Sequence, residues 1–170
     1  NPALKNAFAH AKQNNSGVNL VGLLTSGNVH ASLEHVNALL QMAEREGIAN
    51  VKLHLFSDST DSPPHSLQNL IKKIPHDKLA TVIGRYYAMN REENWHLTER
   101  AYGCLTGQSG EIAENIDAVI EENYRKGIFE DEFPPYRMSA IENVGAIAEN
   151  DAVIFFDFRE DSIRQIAEPF

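Results

Sequence analysis

Short apolar runs alternate along this chain with longer segments whose apolar residues recur every three or four positions, a pattern that predicts an α/β layered domain. Gly17 to Thr25 (GVNLVGLLT), Val51 to Phe56, Leu79 to Ile83 and Asp151 to Phe158 (DAVIFFDF) read as strands, and the near absence of polar breaks fits a sheet covered on both faces. Between them the period changes to that of helices. Asn1 to Asn15 carries Pro2 in its first turn and Leu4, Phe8 and Ala11 on one face. Ala31 to Glu46 has Leu33, Val36, Leu39, Leu40 and Ala43 as its buried stripe and stops at Gly47. Further helices are predicted over Ser66 to Ile74, Trp95 to Leu105, Gly110 to Tyr124 and Asp161 to Ala167, with an irregular stretch at Pro134 and Pro135. The expected fold is a three-layer α/β/α domain around a mostly parallel or mixed central sheet. No repeat or linker composition divides it, so residues 1–170 are expected to form a single domain.

Composition narrows the function classes. At 170 residues and 42% hydrophobic content the chain can bury a core without covalent staples. Its one cysteine, Cys104, cannot form an internal disulfide, and no apolar run is long enough to cross a bilayer, so a reducing, cytoplasmic setting is expected and no membrane partner. A net charge of −9 without a basic, aromatic-rich run argues against nucleic acid as a partner. Any anion site must therefore concentrate its few arginines locally.

Candidate chemistry gathers where strands are predicted to end, the usual place for ligands in open α/β sheets. Gly84 to Arg91 (GRYYAMNR) puts Arg85 and Arg91 just beyond the third strand, as planar forks suited to carboxylate or phosphate. As surface arginines they would instead pair with Glu92 and Glu93. The turn Ser26 to His30 places an imidazole at a helix start, where it can exchange a proton or hydrogen-bond an anion, or merely occupy a capping turn. In the loop Asp58 to Ser66, Asp58 and Asp61 can accept from substrate hydroxyls, although Asp, Ser and Pro also build turns without chemistry. Phe156 to Arg159 delivers Arg159 onto a short helix, to meet an anion or to pair with Glu160 or Asp161. The chain has no phosphate loop of the GxGxxG or GxxxxGK[ST] kind, no HExxH and no cysteine cluster. His54 and His65 lack metal-ligand spacing, so no metal is expected within it.

Together these stretches resemble one family, the cofactor-independent phosphoglycerate mutases, in their phosphotransferase or substrate-binding domain. The family's GLLSDGGVHSH is similar to Gly22 through His30, its HxFxDGRDTPP to His54 through Pro64, its GRYYAMDRD to Gly84 through Glu92, its DEF to Asp131 through Phe133 and its VIFFNFR to Val153 through Arg159. The resemblance runs nearly end to end. It implies that His30 and Asp61 contact the glycerate moiety, with catalytic proton handling, while Arg85, Arg91 and Arg159 hold its carboxylate and phosphate. It further implies a phosphoryl shift between the 3- and 2-hydroxyls of glycerate in glycolysis. A serine and two divalent metals, usually manganese, belong to a separate phosphatase-like domain of the same chain. Residues 1–170 are then expected to be one domain of a larger two-domain enzyme, inactive alone.

Some positions depart from that pattern. Thr60 and Ser162 stand where the family has arginines, Asp157 where it has asparagine, Asn28 where it has glycine and Asn90 where it has aspartate. Arg164 lies two residues from Ser162, and on a helix would face elsewhere. At roughly 1.5 to 3 kcal/mol per charged hydrogen bond, losing two cations weakens phosphoglycerate binding by roughly two to four decades if the effects add. The competing expectation is a divergent, non-catalytic module for another phosphorylated or carboxylated metabolite.

Overall fold

The computed structural model describes residues 1–141 and 146–170. Six strands form one sheet in the order β4-β5-β3-β2-β1-β6: β1 (Val18–Leu23), β2 (Val51–Ser57), β3 (Leu79–Gly84), β4 (Glu111–Ala113), β5 (Tyr136–Met138) and β6 (Ala152–Phe155). All neighbours run parallel except β3 and β5. The sheet is thus mixed, with its antiparallel step displaced toward one edge.

The helices are α1 (Pro2–Asn14), α2 (Leu33–Arg45), α3 (Leu67–Ile71), α4 (Arg85–Ala88), α5 (Trp95–Leu105), α6 (Ile116–Arg125) and α7 (Arg164–Ala167). The parallel steps β1-α2-β2 and β2-α3-β3 move the same way across the sheet, and right-handed crossovers put α2 and α3 on one face. An ion pair between Lys12 and Glu46 ties α1 beside α2. The opposite layer is built on α5 and α7, linked where the Gln165 amide donates to Thr98 Oγ1 at 2.6 Å. Every residue of β1, β2 and β3 is buried, as their unbroken apolar runs predict.

Polar residues inside this sheet are paired with one another. His54 Nε2 lies 3.0 Å from Asn19 Oδ1 and its Nδ1 3.1 Å from Thr81 Oγ1. Asn19 Nδ2 in turn donates to Asp151. Burial, reinforced by the nearby Lys52 charge, lowers the His54 pKa to about 3, so the imidazole is neutral and structural.

Four stretches differ from the sequence expectation. By composition the run Leu79 to Tyr87 (LATVIGRYY), rich in β-branched and aromatic residues, reads as strand to its end, but the strand stops at Gly84 and Arg85 opens the single turn of α4. Gly84 presses against the Glu130–Phe133 segment, where a side chain would come within 2.8 Å of the Phe133 backbone. The helix expected from Gly110 starts later, because Glu111–Ala113 pairs with β5 as a short edge strand and Asn115 then caps α6. The stretch after Pro134 and Pro135 is β5 itself. Finally, β6 ends at Phe155, and Phe156 to Arg159 leave the ladder to carry their side chains beyond the sheet.

Candidate functional site

The carboxyl ends of β1, β2, β3 and β6 converge on one polar cluster, and its buried centre is Asp58. Its side chain is 0% exposed. Oδ1 accepts from the backbone N–H groups of Thr60 and Asp61, both at 3.0 Å, and from the Arg85 guanidinium at 2.7 Å. Oδ2 accepts from Ser62 N–H at 2.8 Å. Burial alone would raise the Asp58 pKa, but the backbone donors, Thr25 and Arg85 outweigh it and hold the group below its ordinary value. One carboxylate thereby shapes the loop after β2 and aims Arg85.

That loop presents Asp61 to His30. Their separation is 2.6 Å, between Asp61 Oδ2 and His30 Nδ1, and Arg85 stands 3.4 Å from the same oxygen. Gly27 lets the turn after β1 lie directly against the Asp61 backbone, where any side chain would collide. Asn28 takes a left-handed φ of 52°, a conformation asparagine tolerates better than most residues and glycine adopts freely. An ionised Asp61 can only accept, so Nδ1 carries a proton toward it, and in the neutral form of the ring Nε2 is the acceptor. Ser162 Oγ lies 3.1 Å from Nε2.

Arg91 and Arg159 meet on a single carboxylate. Asp161 Oδ2 accepts from Arg91 at 2.6 Å and from Arg159 Nη2 at 3.1 Å, while Oδ1 accepts from Arg159 Nε at 2.9 Å. Of the alternatives read from sequence, pairing with Asp161 describes Arg159, whereas Arg85 and Arg91 find aspartates rather than Glu92 or Glu93. A continuous chain of contacts therefore runs from Asp58 through Arg85, Asp61, His30, Ser162 and Asp161 to Arg91 and Arg159. Asp58 and Asp161 organise it. Their signals in the sequence were an acid directly after a buried strand and an acid two residues beyond Arg159.

Two of the positions that depart from the family pattern, Thr60 and Asp157, lie beside the same cluster. Thr60 donates its hydroxyl to Asp131 Oδ2 at 2.6 Å, and Ser59 N–H donates to Asp131 Oδ1 at 2.6 Å. Asp157 Oδ1 accepts from Leu23 N–H at 2.9 Å, and Oδ2 is buried without a partner. Burial raises the Asp157 pKa to about 7; the Leu23 hydrogen bond and Arg85 oppose the rise, and Asp61 adds to it. Among the described residues, no group of three or more His, Cys, Asp or Glu side chains is arranged to hold a metal ion. No described helix is long and apolar enough to cross a membrane.

A doubly covered, mostly parallel sheet with arginines, a histidine and aspartates at its strand ends defines an α/β domain with a polar cluster where such folds usually hold ligands. The chain belongs to the family described as BPG-independent PGAM N-terminus, whose model matches residues 1–170. It is 38% identical over 179 residues to the 2,3-bisphosphoglycerate-independent phosphoglycerate mutase of Listeria monocytogenes serotype 4b (strain F2365), covering 100% of this chain and 35% of that protein. To the enzyme of the same name from Chloroflexus aurantiacus (strain ATCC 29366 / DSM 635 / J-10-fl) it is 41% identical over 180 residues, covering 100% and 33%. The crystal structure of Leishmania mexicana phosphoglycerate mutase at low cobalt concentration superposes with a TM-score of 0.84 at 20% identity, covering 98% of this chain and 33% of that one, a likeness of fold. The chain thus spans about a third of the length of the curated relatives it matches.

Proposed function

We propose that this domain is the substrate-holding, phosphotransferase part of a phosphoglycerate mutase whose full chain interconverts 3-phosphoglycerate and 2-phosphoglycerate. The observation that carries the reading is the single network joining His30, Asp61 and Arg85 at the strand ends. Asp61 keeps the His30 Nδ1 proton in place, leaving Nε2 to take a proton from a glycerate hydroxyl or return one. Arg85, fixed by Asp58, faces the anion from the sheet side, while Arg91 and Arg159 close on it from the loops.

The serine nucleophile and two divalent metals, manganese by the family resemblance, belong in this reading to a phosphatase-like domain elsewhere in the same protein. The donor set here does not suit them: Asp58 is saturated by backbone and guanidinium donors, and His30 and Asp61 are turned toward each other. No step on this domain is assigned to metal. The test is twofold: manganese-supported mutase assay of the full-length protein, and titration of this chain with 3-phosphoglycerate. Turnover with binding lost in Arg85→Ala supports the reading; absence of both refutes it.

Asp157 and the Thr60–Asp131 contact favour a second reading, a non-catalytic module for another phosphorylated or carboxylated metabolite. Acidic groups stand close to Arg85 on two sides. Millimolar indifference to 3-phosphoglycerate together with binding of a less charged hydroxy acid selects it.

A further inference from the structure

The short turn Glu160–Ser162 makes two contacts of the kind a small hydroxy acid would make. Asp161 offers a carboxylate to the fork of Arg159 and, through the same oxygen, to Arg91, which lies 70 residues away in sequence. Its neighbour Ser162 sets a hydroxyl 3.1 Å from His30 Nε2. A carboxylate on two guanidiniums and a hydroxyl on an imidazole, one residue apart, reproduce the functional groups of a 2-hydroxy-carboxylate.

The two contacts differ in how firmly they are held. Asp161 and its arginines are 41% to 54% exposed, so water and salt weaken their attraction and an entering anion can compete for it. Ser162 is 4% exposed and closes the imidazole off from solvent. The order Asp61, His30, Ser162 is also that of a hydrolase triad. With the turn seated, however, so buried a hydroxyl offers no approach to a substrate carbonyl.

We propose that the Glu160–Ser162 turn is an internal stand-in for the ligand, and that the site loads by exchanging Asp161 and Ser162 for the carboxylate or phosphate and the hydroxyl of a small hydroxy acid. The exchange rests on the reading of these arginines as an anion site. It assigns specificity to a two-point requirement: an anion alone releases Asp161, but only a ligand that also carries a hydroxyl replaces Ser162 on His30. Arg91 and Arg159 then exchange one carboxylate for another without being left unpaired, and no bond is made or broken.

The experiment is isothermal titration of this chain with 3-phosphoglycerate, D-glycerate and inorganic phosphate, for the parent and for Asp161→Asn, Ser162→Ala and Glu160→Gln. Asp161→Asn is expected to tighten all three ligands by about fivefold, the scale of an exposed ion pair removed from competition. Ser162→Ala is expected to tighten 3-phosphoglycerate and glycerate and leave phosphate unchanged. Glu160→Gln removes the same charge one residue away, from a side chain paired with Arg164. An equal gain there reduces the effect to net charge and overturns the proposal. So does unchanged or weaker binding in Asp161→Asn while Arg85→Ala still abolishes binding, a result that leaves the anion site standing. Absence of binding in every form overturns both.

Discussion

Replacing Asp157 by asparagine should stabilise this protein more as pH rises. The carboxyl sits beside the end of β1 with one oxygen on Leu23 N–H and the other buried and unpartnered, and its pKa rises from 3.8 to about 7. Below the unfolded value both states are protonated. Between the two values the folded state keeps a proton that the unfolded state has released, so this group's contribution to stability declines as pH climbs through that window and is gone above it. From about pH 5 to about pH 8 the decline spans about two pH units of this titration, or about 3 kcal/mol at ~1.4 kcal/mol per unit. The amide of the variant does not titrate. For a domain of this size each kcal/mol moves Tm by about 2 to 4 °C, so the Tm advantage of Asp157→Asn over the parent should grow by about 6 to 12 °C between those pH values. A fixed cost of seating the amide shifts both ends equally, which makes the change with pH the readout. Thermal unfolding followed by circular dichroism in matched buffers measures it. A Tm difference that stays constant across the range would refute the argument.

Other perturbations test neighbouring links. Arg85→Ala removes the one guanidinium on fully buried Asp58 but leaves its three backbone donors, so unfolding should become easier by about 2 to 3 kcal/mol in denaturant titration, alongside loss of 3-phosphoglycerate binding. Unchanged affinity would remove Arg85 from the anion site. Thr60→Arg places a guanidinium beside Asp131 at an exposed position and should tighten 3-phosphoglycerate by about tenfold in calorimetry, with little change in Tm; no gain would show that this loop does not reach the ligand. His54, with a pKa lowered to about 3, stays neutral when folded and protonates more readily when unfolded, so it costs stability as pH falls from 6.5 toward that value. Replacing it by glutamine should flatten the acid limb of the stability curve, and an unaltered limb would contradict the assignment.

The central strands were readable because β1, β2 and β3 are buried along their whole length, so burial and sequence pattern say the same thing. The two short strands β4 and β5 were not. Each is three residues long, β4 is largely exposed, and β5 follows two prolines, so neither presents a run distinct from loop composition. Arg85 falls at a strand end, as its position after the apolar run predicts, but the turn of α4 does not show in the sequence because Tyr86 and Tyr87 favour strands by propensity and only the crowding of Gly84 against Phe133 ends the ladder. At the site, residue types, strand-end positions and the local Arg159–Asp161 pairing are legible, and the long-range partners are not. His30 meets Ser162 across 132 residues and Arg91 meets Asp161 across 70, separations that only the parallel topology brings together. In the sequence Ser162 reads as a missing arginine; in the structure its hydroxyl lies on His30.

The row Asn19, His54 and Thr81 lies within the sheet, away from the strand ends, yet it bears on the alignment of the cluster there. Sliding β2 by one residue against either neighbour would strand a buried imidazole without partners, so each of three strands is locked at one setting relative to the next. The loop carrying His30 follows β1, Asp58 and Asp61 follow β2, and Arg85 follows β3. The interior row therefore acts as a vernier, and a substitution that touches no ligand could still misalign every group that does.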